Sequence, residues 1–467
     1  MNAKNNSTAI FHTLVWVSLF AFLGACSDSD SDDPLLVVDA PAAVEATAFK
    51  ATVYRTEGGI PHISAEDFGS LGFGTGYAAA QDNFCILARN LLKYRAQLSE
   101  FIGPDDGNPN TDFFYKMLIE SGQYDEAISP ELDAMIVGYA AGFNRYLRDT
   151  GIDNLPDPEC RGAQWIQQMS AEDVQRIHLT PAFLPNFARL FVAAAPPVAT
   201  ASAGSTEKAP TPNKQTIAQR AGANKSALNA KPAKEIQPAA APLSEQEKLE
   251  LVTAINDMAT ARDKGSNGVA IGRDLTAHQG GILYTNPHLD WGLQFRFYPS
   301  HQIIPGVTNL LGATSFERVN VGFGTNGDMA WTNTVTASRT SALYELELAP
   351  GNPLAYMFDG EVEDIEQIEV SVNVLGSDGQ LTEESHTFYK SRHGLLMGLI
   401  FNWDASTAFA LRIADEGARG QNGGAIAFSR AKTVRELRTA LNQFQSSANT
   451  NTIATDSNGE AFYANVG

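Results

Sequence analysis

Residues 264–270 read KGSNGVA, and this stretch divides the chain into two regions of different character. Before it, apolar residues recur at helical intervals, and after it they cluster in short runs typical of strands. This order of elements favours an α+β architecture built in layers. We therefore predict a mostly helical region over residues 49–195 and a sheet-rich region over residues 266–467.

The strands are predicted from β-branched and aromatic runs bounded by Gly, Asn, Asp or Pro. Before the junction, a run of this kind covers residues 49–56. After the junction the runs cover residues 268–271, 281–284, 329–335, 343–348 and 368–374.

Residues 196–265 are predicted to form a spacer between the two regions. From Pro196 to Pro242 the chain is rich in Ala, Pro, Ser and Lys and nearly free of large apolar side chains. A segment of this composition cannot bury enough apolar surface to offset the entropy lost on ordering. We expect a disordered or removable spacer.

Residues 1–25 have the layout of a secretory signal peptide, in which Lys4 precedes an apolar run that ends in small residues. The run ends in Leu23-Gly24-Ala25-Cys26, which resembles the lipobox of bacterial lipoproteins, where the cysteine is acylated. Residues 26–48 begin with alternating Ser and Asp and predict a solvated acidic tether. We expect an exported bacterial lipoprotein, periplasmic or attached to the outer membrane; the alternative is an ordinary signal peptide with an incidental cysteine.

The chain contains three cysteines. Export makes disulfides possible, and lipidation of Cys26 would leave Cys85 and Cys160 as the one remaining pair. We expect these two to be bridged. A metal role is not expected, because neither lies in a C-x-x-C pattern or near a spaced histidine pair.

The charge and the short motifs exclude several classes of function. The chain carries 33 Lys and Arg against 53 Asp and Glu, a net charge of −20, which disfavours binding to nucleic acid. Residues 322–327 match G-x-G-x-x-G, but the following residues predict a strand, whereas a dinucleotide site needs a helix there. The sequence has no Walker loop, H-E-x-x-H or G-x-S-x-G pattern. A neutral or amide substrate fits this chain better.

The Gly265–Ser266 bond lies where a self-cleaving precursor would be cut. Cleavage would make Ser266 an N-terminal residue with an α-amino group, whose usual pKa is about 7.7–8.0. That amine is suited to act as a general base near neutral pH. One residue would then supply both nucleophile and base, as in enzymes with an N-terminal threonine.

Seven ordered motifs surround this junction. Two precede it, YRTEGGIPHI at 54–63 and GTGYAAAQDN at 74–83, and five follow, GSN at 265–267, NPHLDW at 286–291, FY at 297–298, PG at 305–306 and AWTNTV at 330–335. Together they resemble the motifs of the penicillin acylase family of N-terminal nucleophile hydrolases. The N-P-H form is similar to the branch that contains acyl-homoserine-lactone acylases and the related aculeacin and cyclic-lipopeptide acylases.

This resemblance implies an αββα sandwich with a helical small subunit and a sheet-rich large subunit, which stay associated after a zymogen cleaves itself. Ser266 would be the nucleophile and, through its freed amine, the base. His288 would orient that amine, and the backbone N–H of Val335 would contribute to the oxyanion hole. No cofactor is implied. No metal is predicted either, because residues 335–342 lack the acidic side chains with which penicillin-cleaving members bind calcium.

One departure from the family concerns length. From Ser266 to the end there are 467 − 265 = 202 residues, fewer than a family-like large subunit has. The second oxyanion donor of the family is an asparagine farther along than Gly467. We expect a truncated sequence, a second polypeptide that supplies the rest, or a degenerate remnant.

The favoured hypothesis is an autoprocessed amidohydrolase that cleaves N-acyl compounds through an acyl-enzyme on Ser266. N-acyl-homoserine lactones or other fatty-acyl amides are the expected substrates, and the membrane is a partner through the lipid anchor. One alternative is an acylase of the penicillin or cephalosporin type. Another is a non-catalytic surface lipoprotein or inactive fragment, in which the Gly265–Ser266 bond stays intact.

Overall fold

A computed structural model describes residues 49–180, 184–197, 265–288, 296–315, 317–336, 338, 340–399, 401–414, 421–444 and 450–465, together with residues 246 and 253. The predicted signal peptide, the acidic tether and the lipidation site Cys26 lie outside these residues. Most of the predicted spacer lies outside them as well.

Helices dominate the described chain from Phe68 to Val192, as the spacing of its apolar residues predicts. They are α1 Phe68–Tyr94, α2 Leu98–Ile102, α3 Pro104–Gly107, α4 Pro109–Glu120, α5 Pro130–Thr150, α6 Ala171–Leu179 and α7 Ala188–Val192, and two more follow later, α8 Gln421–Arg430 and α9 Val434–Phe444. Side-chain caps fix several helix starts; Ser170 and Asp173 form a reciprocal capping box at α6. Within the described residues, no helix is both long and apolar enough to cross a membrane.

Helices α1 and α5 touch through their backbones at glycines. A Cβ added to Gly72 or Gly76 would fall within 3.0 Å of a carbonyl oxygen of α5, and one added to Gly138 or Gly142 would meet a carbonyl of α1 in the same way. Glycine is required here because the two helices approach too closely for any side chain. The glycines near residue 74 therefore serve helix packing.

Strands dominate after the junction. The strands are β1 Ala51–Arg55, β2 Pro61–Ala65, β3 Gly265–Ile271, β4 Ile282–His288, β5 Phe297–Ile304, β6 Thr308–Ser315, β7 Phe323–Thr325, β8 Met329–Val335, β9 Ser341–Ala349, β10 Asn352–Phe358, β11 Glu361–Asp364, β12 Glu366–Leu375, β13 Leu381–Ser391, β14 Gly394–Leu396, β15 Thr407–Ile413, β16 Thr450–Asp456 and β17 Ala461–Asn465. The predicted strand 329–335 coincides with β8, and the other predicted strands are also present, with shifted ends. The α+β prediction is confirmed.

The strands of the described residues form three sheets. An eight-stranded sheet has the order β1-β2-β5-β6-β7-β8-β16-β17, a seven-stranded sheet has the order β11-β10-β9-β15-β14-β13-β12, and β3 pairs with β4. In the first of these, β2 runs parallel to β5, with His62 opposite His301. Two strands from before the spacer thus belong to the same sheet as strands from after it.

Separate apolar clusters join the helices to the sheets. One contains Leu71, Tyr139 and Phe143 of α1 and α5 together with Ile63 and Ile304 of the eight-stranded sheet. A second brings α4 and α7 against the seven-stranded sheet, and a third sets α8 and α9 against β8 and β16 around Trp331. Helices α1, α5, α8 and α9 pack on the eight-stranded sheet, and the β3–β4 pair packs on β8 and β16.

The expected disulfide between Cys85 and Cys160 is not formed. Both residues are free thiols buried in the core around α1, and Cys160 Sγ donates to the Asp157 carbonyl oxygen at 3.7 Å. Burial raises the pKa of both thiols, so they remain protonated at neutral pH. In the folded protein the thiolate through which a disulfide forms is therefore disfavoured.

Candidate active site

The predicted nucleophile Ser266 lies on β3 of a two-stranded antiparallel pair. In this pair Ser266 is opposite Pro287 and Gly265 is opposite His288. Side chains alternate between the faces of a strand, so Ser266 and Gly268 share one face while His288 belongs to the other. This face alternation separates the serine hydroxyl from the imidazole.

The face that carries Ser266 packs on β8 and β16. A Cβ added to Gly268 would lie 2.8 Å from Ile453 Cδ1 and 3.2 Å from Thr332 Cγ2. Three residues before His288, the Thr285 hydroxyl lies 2.6 Å from the Thr332 hydroxyl. The nucleophile strand is therefore held against the strand that ends at Val335.

The hydroxyl of Ser266 contacts the peptide group that we expect to be cut. Ser266 Oγ donates a hydrogen bond to the carbonyl oxygen of Gly265 at 2.5 Å, and the Gly265–Ser266 bond is intact. The nucleophilic oxygen thus lies beside the carbonyl group that it would attack during self-cleavage. Ser266 is half-buried, so water can reach this group.

His288 is held by two asparagine side chains that the motifs alone do not assign to the site. Its Nε2 accepts hydrogen bonds from Asn286 Nδ2 at 2.9 Å and from Asn267 Nδ2 at 3.2 Å. With both amides donating, a neutral imidazole carries its proton on Nδ1. This nitrogen faces Gly265, since a Cβ added there would lie 3.9 Å from it.

The role of these two asparagines is not visible in the local sequence. Both lie inside the quoted motifs, but only the β3–β4 register places Asn267 opposite Asn286 and next to His288. Asn267 and His288 are 21 residues apart in the sequence, and no local motif indicates that they meet. Their contact can be predicted only once the two strands and the turn between them are known.

Val335 is the last residue of β8 and lies opposite Thr450. The Ser457 N–H donates to the Asp328 carbonyl at 2.8 Å, so these two residues form a hydrogen-bonded pair. The ladder continues without a break from this pair to Val335 and Thr450. Antiparallel pairs alternate between bonded and non-bonded, and Val335 falls at a non-bonded pair. Its N–H is therefore directed away from β16, toward the side of β8 on which β7 lies. Val335 itself lies past the end of the β7–β8 pairing.

The motif residues before the spacer meet in an ion-pair network. Arg55 donates to Asp82 Oδ2 at 2.9 Å and to the Gly59 carbonyl at 2.6 Å, and the Tyr298 hydroxyl donates to the same Asp82 oxygen at 2.7 Å. Burial raises the pKa of Tyr298, with Asp82 adding to the effect. These contacts tie β1, α1 and β5 together, which gives those motif residues a structural role.

A second buried network joins α1 to the loop before β7. Glu317 accepts from Asn90 Nδ2 at 2.6 Å and from the Tyr94 hydroxyl at 3.1 Å. Burial raises the pKa of Tyr94 well above its usual value, and the nearby Glu317 carboxylate raises it further. Across the described chain, no group of three or more His, Cys, Asp or Glu is arranged to hold a metal ion.

Comparison with known proteins gives consistent relatives. A family model described as Penicillin amidase matches residues 50–467. The chain is 32% identical over 432 residues to an acyl-homoserine lactone acylase PvdQ of Pseudomonas fluorescens, covering 89% of this chain and 50% of that protein. It is 30% identical over 453 residues to aculeacin-A acylase of Actinoplanes utahensis, covering 91% and 51%. The chain spans about half the length of the curated relatives it matches.

Among solved structures, a thermostable penicillin G acylase from Alcaligenes faecalis aligns with a TM-score of 0.37 and 19% identity. The alignment covers 43% of this chain and 34% of that chain.

Proposed function

The chain belongs to the penicillin amidase family, and we propose that it is the nucleophile-bearing portion of an exported acylase that hydrolyses N-acyl amides. The fold we propose is the αββα sandwich of N-terminal nucleophile hydrolases. The observation that carries the proposal is the position of Ser266 Oγ, which lies 2.5 Å from the carbonyl oxygen of its own preceding peptide. We propose that a serine held beside this carbonyl breaks that peptide and becomes N-terminal.

The first step is self-cleavage. Ser266 Oγ attacks the Gly265 carbonyl carbon, the carbon–nitrogen bond breaks, and the hydroxyl proton passes to the leaving nitrogen. His288 Nδ1 lies on the Gly265 side of β4, and we assign this histidine to orient the nitrogen as it leaves. Water then hydrolyses the ester, which leaves a carboxylate on Gly265 and a free amine and hydroxyl on Ser266.

The second step is turnover of substrate. The freed amine takes the proton of Ser266 Oγ, which attacks the amide carbonyl of the substrate. The Val335 N–H donates to the oxyanion, and the leaving amine departs with the proton. Water releases the acyl group from the serine ester. His288 lies opposite Gly265, the residue removed by cleavage, and therefore next to the place where the new amine forms.

We propose a fatty-acyl amide as substrate, with N-acyl-homoserine lactones as the favoured class. The names of the two relatives described above support this choice, because one acts on an acyl-homoserine lactone and the other on aculeacin A. We also propose export and lipidation at Cys26, on the strength of the apolar run and the Leu-Gly-Ala-Cys ending.

The test is made on the protein expressed from its complete reading frame. Mass spectrometry and N-terminal sequencing should find a fragment that begins Ser266-Asn267, and hydrolysis of an N-acyl-homoserine lactone should accompany it. Ser266→Ala should remain uncut and inactive. Ser64→Ala, at a half-buried position on β2, is the matched control and should be cut as the wild type is.

Two other outcomes would decide against elements of the proposal. An uncut wild type that still hydrolyses the lactone would overturn the N-terminal nucleophile mechanism. An uncut and inactive wild type that binds the lactone would favour the non-catalytic lipoprotein instead.

A further inference from the structure

Two asparagines of the last two described strands hold the chain on both sides of Val335. Asn451 Nδ2 donates to Thr334 Oγ1 at 3.0 Å and to the Val335 carbonyl at 3.2 Å. Asn465 Nδ2 donates to Thr336 Oγ1 at 2.9 Å and to Ser338 Oγ at 2.7 Å. We call Asn451 and Asn465 the asparagine clamp.

The two members of the clamp are direct neighbours. Asn451 of β16 lies opposite Asn465 of β17 in the antiparallel ladder. Asn451 Oδ1 also accepts from the Tyr463 hydroxyl at 2.9 Å, so both its oxygen and its amide nitrogen have partners. An amide held at both ends has one orientation, and this orientation aims its N–H groups at β8.

The clamp adds to what the sheet ladder does. The bond alternation makes Thr334 and Asn451 a bonded pair and leaves Val335 at a non-bonded pair with Thr450, so the ladder to β16 holds only the Thr334 end of the peptide that carries the Val335 N–H. The Asn451 side chain bonds to the Thr334 side chain and to the Val335 carbonyl, on either side of this peptide. It therefore restrains Val335 itself, which the ladder to β16 does not.

The clamp also reaches the strand that carries the nucleophile. Thr334, which accepts from Asn451, lies against β3, because a Cβ added to Gly268 would be 3.4 Å from Thr334 Cγ2. Gly268 is two residues from Ser266, on the same face of β3. A shift of Thr334 would therefore alter the spacing between the serine and the Val335 amide.

We propose that Asn451 and Asn465 are positioning residues that aim the Val335 N–H at the oxyanion formed when Ser266 attacks an acyl group. This inference rests on the proposed function and adds to it two residues at a distance from the nucleophile in sequence. Neither asparagine touches the substrate in this role. Asn451 acts through Thr334 and Val335, and Asn465 acts through Thr336 and Ser338.

The test uses the protein from its complete reading frame, with Asn451→Ala and Asn465→Ala. Loss of an oxyanion donor lowers kcat by about 10²–10³, and a misaimed donor should lower it by roughly 10-fold to 10²-fold. KM for an N-acyl-homoserine lactone should change little. Asn458→Ala, in the exposed turn of the same hairpin, is the matched control and should leave kcat unchanged.

A second readout separates positioning from mere stability. An alkyl boronic acid forms a tetrahedral adduct with a serine hydroxyl and so reports on binding of the transition state. Its affinity should fall in parallel with kcat in the clamp variants, while affinity for the fatty-acid product should stay the same. If the two asparagines only stabilised the fold, their variants would have a lower melting temperature, but kcat and the affinity for the boronic acid would stay unchanged.

Should Asn451→Ala fail to fold, Thr334→Val and Ser338→Ala remove one acceptor of each asparagine and should lower kcat in the same direction. Wild-type kcat in both clamp variants, together with normal hydrolysis by the wild type, would overturn this inference and leave the proposed function standing. Absence of hydrolysis in a correctly folded wild type would overturn the proposed function itself.

Discussion

The Nε2 atom of His178 accepts a hydrogen bond from the backbone N–H of Val319 at 3.2 Å. Both residues are buried, and they lie on opposite sides of the predicted spacer. Burial lowers the pKa of His178 well below its usual range, and the nearby Arg318 lowers it further. The imidazole is therefore neutral in the folded protein and joins α6 to the loop that precedes β7.

This contact predicts acid sensitivity. The unfolded chain binds a proton at His178 below pH ~6.5, whereas the folded chain does not, so the unfolded state is favoured as the pH falls. The contribution of His178 to stability should be constant above pH ~6.5 and decline below it. We expect His178→Gln, in which an amide oxygen can still accept from Val319, to flatten that decline in thermal melts of the uncut Ser266→Ala protein.

The exposed His278 offers the matched control, because His278→Gln changes the same residue type without removing a buried contact. Its melting curve should follow the wild-type dependence on pH. Equal slopes for His178→Gln and the wild type would contradict the prediction.

Asn286 should determine the rate of self-cleavage. Asn286→Asp replaces the amide donor by a carboxylate, which can only accept from His288 Nε2 and no longer holds the imidazole proton on Nδ1 alone. His288 would then orient the leaving nitrogen less well, so we expect cleavage to slow by roughly 10-fold. The time course of the Ser266 fragment, followed by mass spectrometry, measures this.

Tyr284→Phe is the control for this variant, since Tyr284 lies on the same outer face of β4 and is 54% exposed. It should be cut at the normal rate. Normal cleavage in Asn286→Asp would show that the proton position on His288 does not matter.

Because α1 and α5 cross at glycines, replacing one of these glycines by alanine should destabilise the fold unusually strongly. In Gly72→Ala the new methyl group would meet the Met135 backbone, which cannot rotate away, so the loss of unfolding free energy should lie at the upper end of what overpacking costs, about 3 kcal/mol. Gly306→Ala meets no atom within 4 Å and has only a left-handed φ of 75° to resist it. That strain costs about 1–2 kcal/mol. Urea titration of both variants should rank them in this order.

The two buried thiols can be counted chemically. Without reductant, iodoacetamide should leave Cys85 and Cys160 unmodified in the folded protein, because both are buried and protonated. In denaturant, again without reductant, both should be alkylated, as peptide mass mapping will show. A disulfide would protect both cysteines even after unfolding.

Local patterns predict several elements of this structure well. The β-branched and aromatic composition of residues 329–335 predicts a strand, and β8 has these bounds. The same reasoning excludes a dinucleotide site at the G-x-G-x-x-G stretch, and that stretch forms β7 and the turn into β8.

Other features depend on contacts that no local pattern encodes. The pairing of β2 with β5 brings His62 opposite His301, with a sequence separation of 239 residues. Asn451 gains its role from the register of β8, β16 and β17. The disulfide prediction rests on counting cysteines by compartment, whereas the structure holds Cys85 and Cys160 as free, buried thiols.

The parallel pairing of β2 with β5 has a consequence for how the protein would come apart. A cut at Gly265–Ser266, with loss of the spacer, would leave these neighbouring strands on separate polypeptides held by hydrogen bonds and core packing alone. Unfolding would then release two molecules, so the melting temperature would rise with protein concentration, whereas that of the uncut chain would not. Refolding would become a bimolecular encounter, and the mature protein would depend on slow unfolding for its lifetime.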